Sequence, residues 1–188
     1  MLSHHLDIKL RPNSDLPSHQ ILAAVYAKLH NALVRVKASD VAVCFPEYSH
    51  SPPDLGETIR LIGTQLTLTE VMSVPWSKAV LDYITVGKIS EVPAVVEHRQ
   101  LTRVQAKSSP ERLRRRQMKR HGLTADQARE RVPDRAVERL RLPFLSVTSA
   151  SSGQSFLLFL RLSPPLSNPR EGHFNSYGLS VTATIPWF

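Results

Sequence analysis

The sequence predicts an α+β protein in two parts, and three observations lead to this prediction. The first half contains strand-like and helical segments in the order β-α-β-β-α-β. Pro93 follows these segments and marks a linker. The second half holds a short helical segment dense in arginine, placed between further strand-like segments. We therefore expect a first domain at residues 1–94 and a second α+β domain at residues 95–188.

The predicted first domain begins with a strand at residues 4–11, where apolar and polar residues alternate. Residues 18–36 carry apolar side chains at helical spacing, and Ser18 is a candidate cap for this helix. The remaining segments are strands at 40–46, 57–64 and 83–89, a loop at 47–55, and a helical stretch at 68–82 interrupted near Pro75. This order is that of the ferredoxin-like split arrangement.

The predicted second domain contains two short helices. Ser109-Pro110-Glu111 favours a helix start, because serine caps well and proline suits the first turn, and Gly122 ends that helix after His121. Thr124 to Gln127 resembles a capping box for a second helix that stops before Pro133. Strands are expected at 98–105, 144–149, 155–162 and 176–184, with Phe159 in the core.

Composition excludes several classes of protein. With 41% apolar and 21% charged residues, a chain of 188 residues can bury a core. A single cysteine, Cys44, excludes an internal disulfide and a zinc site built from several cysteines, and it is expected to be a small buried side chain. No long apolar run is present, so we expect a soluble cytoplasmic protein without membrane contact. Acidic residues are scattered and phosphate-binding glycine motifs are absent, so neither a metal nor a cofactor is expected.

The positive charge is concentrated in one segment. Between Arg99 and Arg120 the chain has nine basic residues and one acid, Glu111, so this segment carries the +8 of the whole chain. At 100° per residue, five of the cations in the predicted helix fall within an arc of about 140°. These five are Arg112, Arg115, Arg116, Lys119 and Arg120. An ordinary solvated helix mixes both signs of charge, so this segment indicates a polyphosphate partner. On charge alone, duplex DNA competes with RNA.

Specific motifs in this segment resemble a known family. The run Arg-Gln-Leu-Thr-Arg-Val-Gln-Ala-Lys-Ser-Ser-Pro-Glu-Arg-Leu-Arg-Arg-Arg, from Arg99 to Arg116, closely resembles the Csy-type CRISPR repeat-processing endoribonucleases of type I-F systems. Other matching segments follow in order along the chain: Leu6-Asp7-Ile8 with Leu10-Arg11-Pro12, Lys28-Leu29-His30, Gly153-Gln154 with Phe156, Tyr177-Gly178-Leu179-Ser180 and Pro186-Trp187-Phe188.

The resemblance implies a ferredoxin-like domain joined to a domain that presents the exposed arginine-rich helix. It implies a CRISPR repeat stem-loop as substrate, with the helix in the major groove of the stem. The implied cut lies at the 3′ base of the stem and proceeds by attack of a 2′-hydroxyl, which leaves a 2′,3′-cyclic phosphate and a 5′-hydroxyl. The implied partners are the retained product, crRNA, and the other subunits of the type I-F surveillance complex.

The resemblance also assigns roles to individual residues. His30 matches the catalytic histidine, Ser149 the serine that orients the 2′-hydroxyl, and Tyr177 a tyrosine of the active-site cluster. Arg103 and Gln105 match the pair that recognises base edges near the bottom of the stem. The remaining residues expected to bind RNA are Phe156, which matches a base-stacking aromatic, Ser151, a nearby binding serine, Lys107 and Arg112 of the basic segment, and the groove-facing Arg115, Arg116, Lys119, Arg120 and His121.

The residues by themselves leave the function more open. Histidine is the natural proton-transfer group near neutral pH, but the chain has eight histidines and nothing in the pattern selects His30. Two hypotheses remain: an endoribonuclease, and a non-catalytic subunit that binds an RNA hairpin. A DNA-binding architectural protein is a more distant third.

Overall fold

The structure of the chain, a computed structural model, describes residues 2–105, 110–133, 140–148 and 153–188, and it has a mixed α+β architecture. The chain folds into two compact units. One unit consists of Met1–Arg103 together with Leu142–Phe188, and the other of Val104–Arg141. Along the chain the second unit is therefore inserted within the first. The domain boundary expected after residue 94 stays a prediction.

Twelve strands and five helices make up the regular structure of the described residues. The strands are β1 His4–Leu10, β2 Ala42–Cys44, β3 Ser49–His50, β4 Pro53–Asp54, β5 Thr58–Gly63, β6 Ile84–Val86, β7 Ser90–Glu91, β8 Glu97–Arg99, β9 Leu101–Val104, β10 Phe144–Thr148, β11 Ser155–Leu162 and β12 Ile185–Trp187. The helices are α1 Ser18–Val36, α2 Gln65–Ser73, a 3₁₀ helix at Ser77–Tyr83, α3 Pro110–His121 and α4 Ala125–Arg131.

The main sheet of the first unit has the order β2-β5-β1-β6, with β7 also paired to β1. All of these pairs are antiparallel. The sheet and α1 bury one apolar core, which also receives Leu145, Val147, Leu158 and Leu160 from β10 and β11. Cys44 is buried as expected, and burial raises the pKa of its thiol to about 12, so the group stays protonated.

Helix α1 has the predicted bounds but not the predicted cap. It begins at Ser18 and ends before Lys37, which adopts a left-handed conformation with φ 53°. The N-cap position is Pro17, so the prediction that Ser18 caps the helix is wrong. The Ser18 hydroxyl donates instead to Glu57 Oε1 at 2.6 Å, because that carboxylate lies beside the first turn.

Three other local predictions are corrected by the structure. The predicted loop at 47–55 contains the short hairpin of β3 and β4. The predicted last strand at 176–184 is irregular chain, and β12 follows it. Phe159 was expected in the core, but it is half-buried and lies 5.3 Å, centroid to centroid, from the exposed ring of Phe144. Because Leu158 and Leu160 occupy the core side of β11, alternation along the strand puts Phe159 on the opposite face.

Candidate active site and nucleic-acid interface

His30 is half-buried on α1, one residue after the fully buried Leu29. Its Nδ1 is 2.7 Å from the backbone oxygen of Ser176. A carbonyl oxygen only accepts hydrogen bonds, so Nδ1 must carry the proton and donate it. Among the described residues nothing hydrogen-bonds Nε2. The arrangement therefore leaves Nε2 as the nitrogen that can take up or deliver a proton.

Tyr177 covers one face of the histidine ring. The two ring centroids are 4.0 Å apart and the planes differ by 3°, which is a stacked arrangement. The structure thus brings together two of the three residues that the sequence predicted to be catalytic, although they are far apart in the chain. The third, Ser149, lies outside the described residues.

The loop that carries Ser176 and Tyr177 is ordered by its own polar groups. Asn175 Oδ1 accepts hydrogen bonds from the backbone N–H of Tyr177 at 2.9 Å and of Leu179 at 3.2 Å. Gly178 has φ +69°, and a β-carbon there would overlap a methyl carbon of Val43. Only glycine suits both the left-handed backbone and this close approach. These local bonds replace the strand that the sequence predicted.

Tyr26 supports the same loop, and sequence analysis missed it. Its side chain is 1% exposed, and its hydroxyl donates to the backbone oxygen of Tyr177 at 2.9 Å. Burial raises the pKa of Tyr26, the nearby Tyr177 adds to the increase, and Arg103 opposes it, so the hydroxyl remains a donor. The spacing in the sequence could have indicated this role, because Tyr26 precedes His30 by four residues and therefore lies on the same face of the helix.

Arg103 and Phe156, both expected to contact RNA bases, are neighbours. The guanidinium carbon of Arg103 lies 5.1 Å from the centroid of the Phe156 ring, within the range of a cation–π contact. Arg103 is exposed near the end of β9, and Gln105, also exposed, directly follows that strand. Lys107 and Ser151 lie outside the described residues.

The second unit contains the arginine helix. As predicted, α3 begins at Pro110 and ends at His121, and Gly122 follows with φ +61°. Thr124 forms the predicted capping box with Gln127 at the start of α4. The predicted cationic arc is exposed along its whole length, together with the last residue of the helix: Arg112, Arg115, Arg116, Lys119, Arg120 and His121.

The opposite face of α3 packs against α4. Arg114 is half-buried, and its Nε donates to the backbone oxygen of Val132 at 2.8 Å. Ala128 of α4 is fully buried. Within the described part of the chain, no carboxylate forms an ion pair with Arg115, Arg116, Lys119 or Arg120. Arg114 thus holds the two helices together, while these four cations leave an uncompensated positive surface.

The described residues offer neither a metal-binding cluster nor a membrane-spanning helix. Residues 2–105, 110–133, 140–148 and 153–188 contain no group of three or more His, Cys, Asp or Glu side chains arranged to hold a metal ion. None of the helices in these ranges is long and apolar enough to cross a bilayer.

A mixed α+β fold, a histidine stacked on a tyrosine, and a helix whose Arg115, Arg116, Lys119 and Arg120 have no acidic partner among the described residues define a protein suited to bind a nucleic acid. The chain belongs to the CRISPR-associated protein (Cas_Csy4) family, which it matches over residues 5–188. It is 41% identical over 187 residues to the CRISPR-associated endonuclease Cas6/Csy4 of Pseudomonas aeruginosa (strain UCBPP-PA14). Its identity to the protein of the same name from Escherichia coli (strain UTI89 / UPEC) is also 41% over 187 residues. Both alignments cover the full length of both chains, and the resemblance found in the sequence is confirmed.

Proposed function

We propose that this protein is a metal-independent endoribonuclease that is specific for the sequence and structure of CRISPR repeat RNA. It cuts at the 3′ base of the repeat stem-loop by attack of the 2′-hydroxyl upstream of the scissile phosphate. The products are a 2′,3′-cyclic phosphate and a 5′-hydroxyl. The protein then keeps the mature crRNA and joins the other subunits of a type I-F surveillance complex.

The observation that carries this proposal is the fixed histidine. Transesterification needs a group that moves a proton at the nucleophile or at the leaving oxygen, and this is typically worth about 10²–10⁴ in rate. The hydrogen bond from Nδ1 of His30 to the Ser176 oxygen leaves Nε2 available for that transfer. The names of the two relatives, both endonucleases, support the same hypothesis.

The remaining site residues divide into groups with different proposed tasks. Ser149 orients the 2′-hydroxyl, and Tyr177 holds the histidine ring. Arg103 and Gln105 contact base edges low in the stem, Phe156 stacks on a base near the cut, and Ser151 binds nearby. The remaining residues of the basic segment contact phosphates of the stem: Lys107, Arg112, Arg115, Arg116, Lys119, Arg120 and His121. In this proposal the ferredoxin-like domain, residues 1–94, supplies His30, and residues 95–188 supply the helix that enters the major groove.

The alternative is a non-catalytic subunit that holds an RNA hairpin. The exposed cations of α3 suit this function equally well, because they account for affinity and not for chemistry. The two hypotheses differ in the fate of the RNA.

A denaturing gel tests the choice. We expect the purified protein to cut repeat RNA in EDTA as fast as in magnesium, and to leave an upstream fragment whose cyclic end resists phosphatase until acid opens it. Intact RNA after saturating binding would instead support the non-catalytic subunit. Cleavage that required magnesium would refute the metal-independent mechanism, and equal affinity for duplex DNA of the same sequence would refute specificity for RNA.

Base recognition and phosphate binding should separate in a second experiment. Arginine can grip a guanine edge, and by analogy with DNA such a contact is worth roughly 1–3 kcal/mol. Arg103→Ala should therefore weaken binding to the cognate hairpin more than to one with its lowest base pairs swapped. Arg115→Ala should weaken both equally and reduce the salt slope by about 1. Titrations of both hairpins at two salt concentrations measure this difference.

The matched control is Arg129→Ala, which removes one exposed cation from α4, outside the proposed contacts. It should change neither the hairpin preference nor the salt slope appreciably. If Arg103→Ala lost the same factor on both hairpins, base recognition would have to be assigned to other residues.

A further inference from the structure

We propose that Asn175 and Tyr26 are positioning residues that set the tautomer and the orientation of His30. Both act through the backbone of the loop at residues 175–179 rather than on the RNA. Tyr26 is 1% exposed, and the amide oxygen of Asn175 is committed to two backbone N–H groups. The inference rests on the proposed function, because it assigns two further residues to the same active site.

The first step concerns the peptide group between Ser176 and Tyr177. Its oxygen accepts the proton of His30 Nδ1, and its N–H donates to Asn175 Oδ1. Both atoms belong to one rigid plane, so fixing the N–H also fixes the direction of the oxygen. Without the Asn175 acceptor, this plane loses the bond that aims its oxygen at the histidine.

The second step concerns the next peptide group, between Tyr177 and Gly178. Its oxygen accepts from the Tyr26 hydroxyl at 2.9 Å, and its N–H donates to the backbone oxygen of Asn175 at 2.8 Å. The following peptide is held too, because Val43 N–H donates to the oxygen of Gly178 at 2.9 Å. Three successive peptide groups are therefore fixed by hydrogen bonds. The first two are bonded through both the oxygen and the N–H, and the third is bonded through its oxygen to Val43 of the main sheet.

These bonds place two groups against His30 at once. The oxygen of Ser176 selects the tautomer, and the ring of Tyr177 fixes the ring plane through its stacking at 4.0 Å. Free imidazole exchanges its proton between the two nitrogens, and the partner of one nitrogen decides the state of the other. The loop thus keeps the proton on Nδ1 and presents Nε2 for catalysis.

The test combines single-turnover kinetics with the nitrogen signals of the His30 ring. We expect Tyr26→Phe and Asn175→Ala to lower the cleavage rate constant at saturating protein by about 10- to 100-fold, since a misplacement of about 1 Å has effects of this size. The Kd for the hairpin should stay unchanged. We also compare ¹⁵N correlation spectra of the two variants with those of the wild type, all without RNA. In the variants, a larger fraction of neutral His30 should carry its proton on Nε2 instead of Nδ1.

Two further variants separate positioning from general damage. Asn175→Asp keeps an oxygen that accepts both N–H groups, so it should recover most of the rate and the wild-type nitrogen signals. Tyr48→Phe removes another hydroxyl that donates to a backbone oxygen, that of Leu160 at 3.3 Å, and should cleave at the wild-type rate.

Two results would overturn the inference. One is wild-type cleavage by both Tyr26→Phe and Asn175→Ala. The other is a loss of rate with unchanged His30 nitrogen signals, which would mean that the loop matters only for folding. If the wild-type protein itself failed to cut repeat RNA, the proposed function would fail, and the nitrogen signals alone would still decide whether Asn175 and Tyr26 set the tautomer.

Discussion

Replacement of His30 by alanine is expected to slow cleavage of repeat RNA by about 10²–10⁴ while binding remains intact. The variant removes the ring whose Nδ1 bonds the Ser176 oxygen and whose Nε2 we propose for proton transfer. It removes none of the exposed cations of α3, which lie in the other compact unit. Single-turnover rates at saturating protein, together with Kd values from filter binding, measure the two effects separately.

The matched control for this variant is His19→Ala. His19 is an exposed histidine in the first turn of the same helix, and no catalytic role is proposed for it. It should cut and bind as the wild type does. If His30→Ala cut at a rate near that of the wild type, His30 would have no part in the chemistry, and its tautomer would need another explanation.

An RNA with a single 2′-deoxy nucleotide directly upstream of the cut is expected to bind tightly and to remain intact. The proposed reaction uses that hydroxyl as its nucleophile, so its removal leaves nothing to attack the phosphate. The measurement compares this RNA with one that carries the 2′-deoxy nucleotide in the hairpin loop, which should be cut normally. Cleavage of the first RNA, with a linear phosphate at the new end, would show that water attacks instead.

The regular elements were predictable where local pattern and local chemistry agree. Apolar spacing from Ile21 to Val36 predicted helix α1, and the buried residues of that helix lie mainly on one face. The end of α3 and the start of α4 followed from Gly122 and Thr124, whose capping tendencies depend on their own backbone. The grouping of five cations on one arc followed from helical geometry, while the exposure of that arc was implied by the resemblance.

The errors occur where side chains bond to distant or non-helical groups. Ser18 was expected to cap α1, but its hydroxyl donates to the carboxylate of Glu57 instead. Glu57 is distant in sequence from Ser18. The segment 176–184 has the composition of a strand, yet the side chains of Asn175 and Ser180 accept backbone N–H groups and bend it. Nothing in a single sequence indicates which of these competing bonds forms.

The candidate site was predictable in part. The family motifs pointed to His30 and Tyr177, and the structure brings the two rings into contact. The motifs did not indicate how the histidine is held, because that depends on a carbonyl oxygen of Ser176, and every residue has such an oxygen. Helical geometry placed Arg114 outside the cationic arc, but the motifs gave no sign that it bonds to Val132.

The separation of the histidine from its carbonyl partner has a consequence for protein synthesis. His30 and Ser176 are 146 residues apart in the chain. At about 5–20 residues per second, a ribosome needs roughly 7–30 s to make the second partner after the first. Before that interval ends, the nascent chain already carries the arginine helix but lacks the loop that orders His30. If the proposed roles of His30 and α3 hold, a growing chain that captured nearby RNA would therefore bind it before it could cut it.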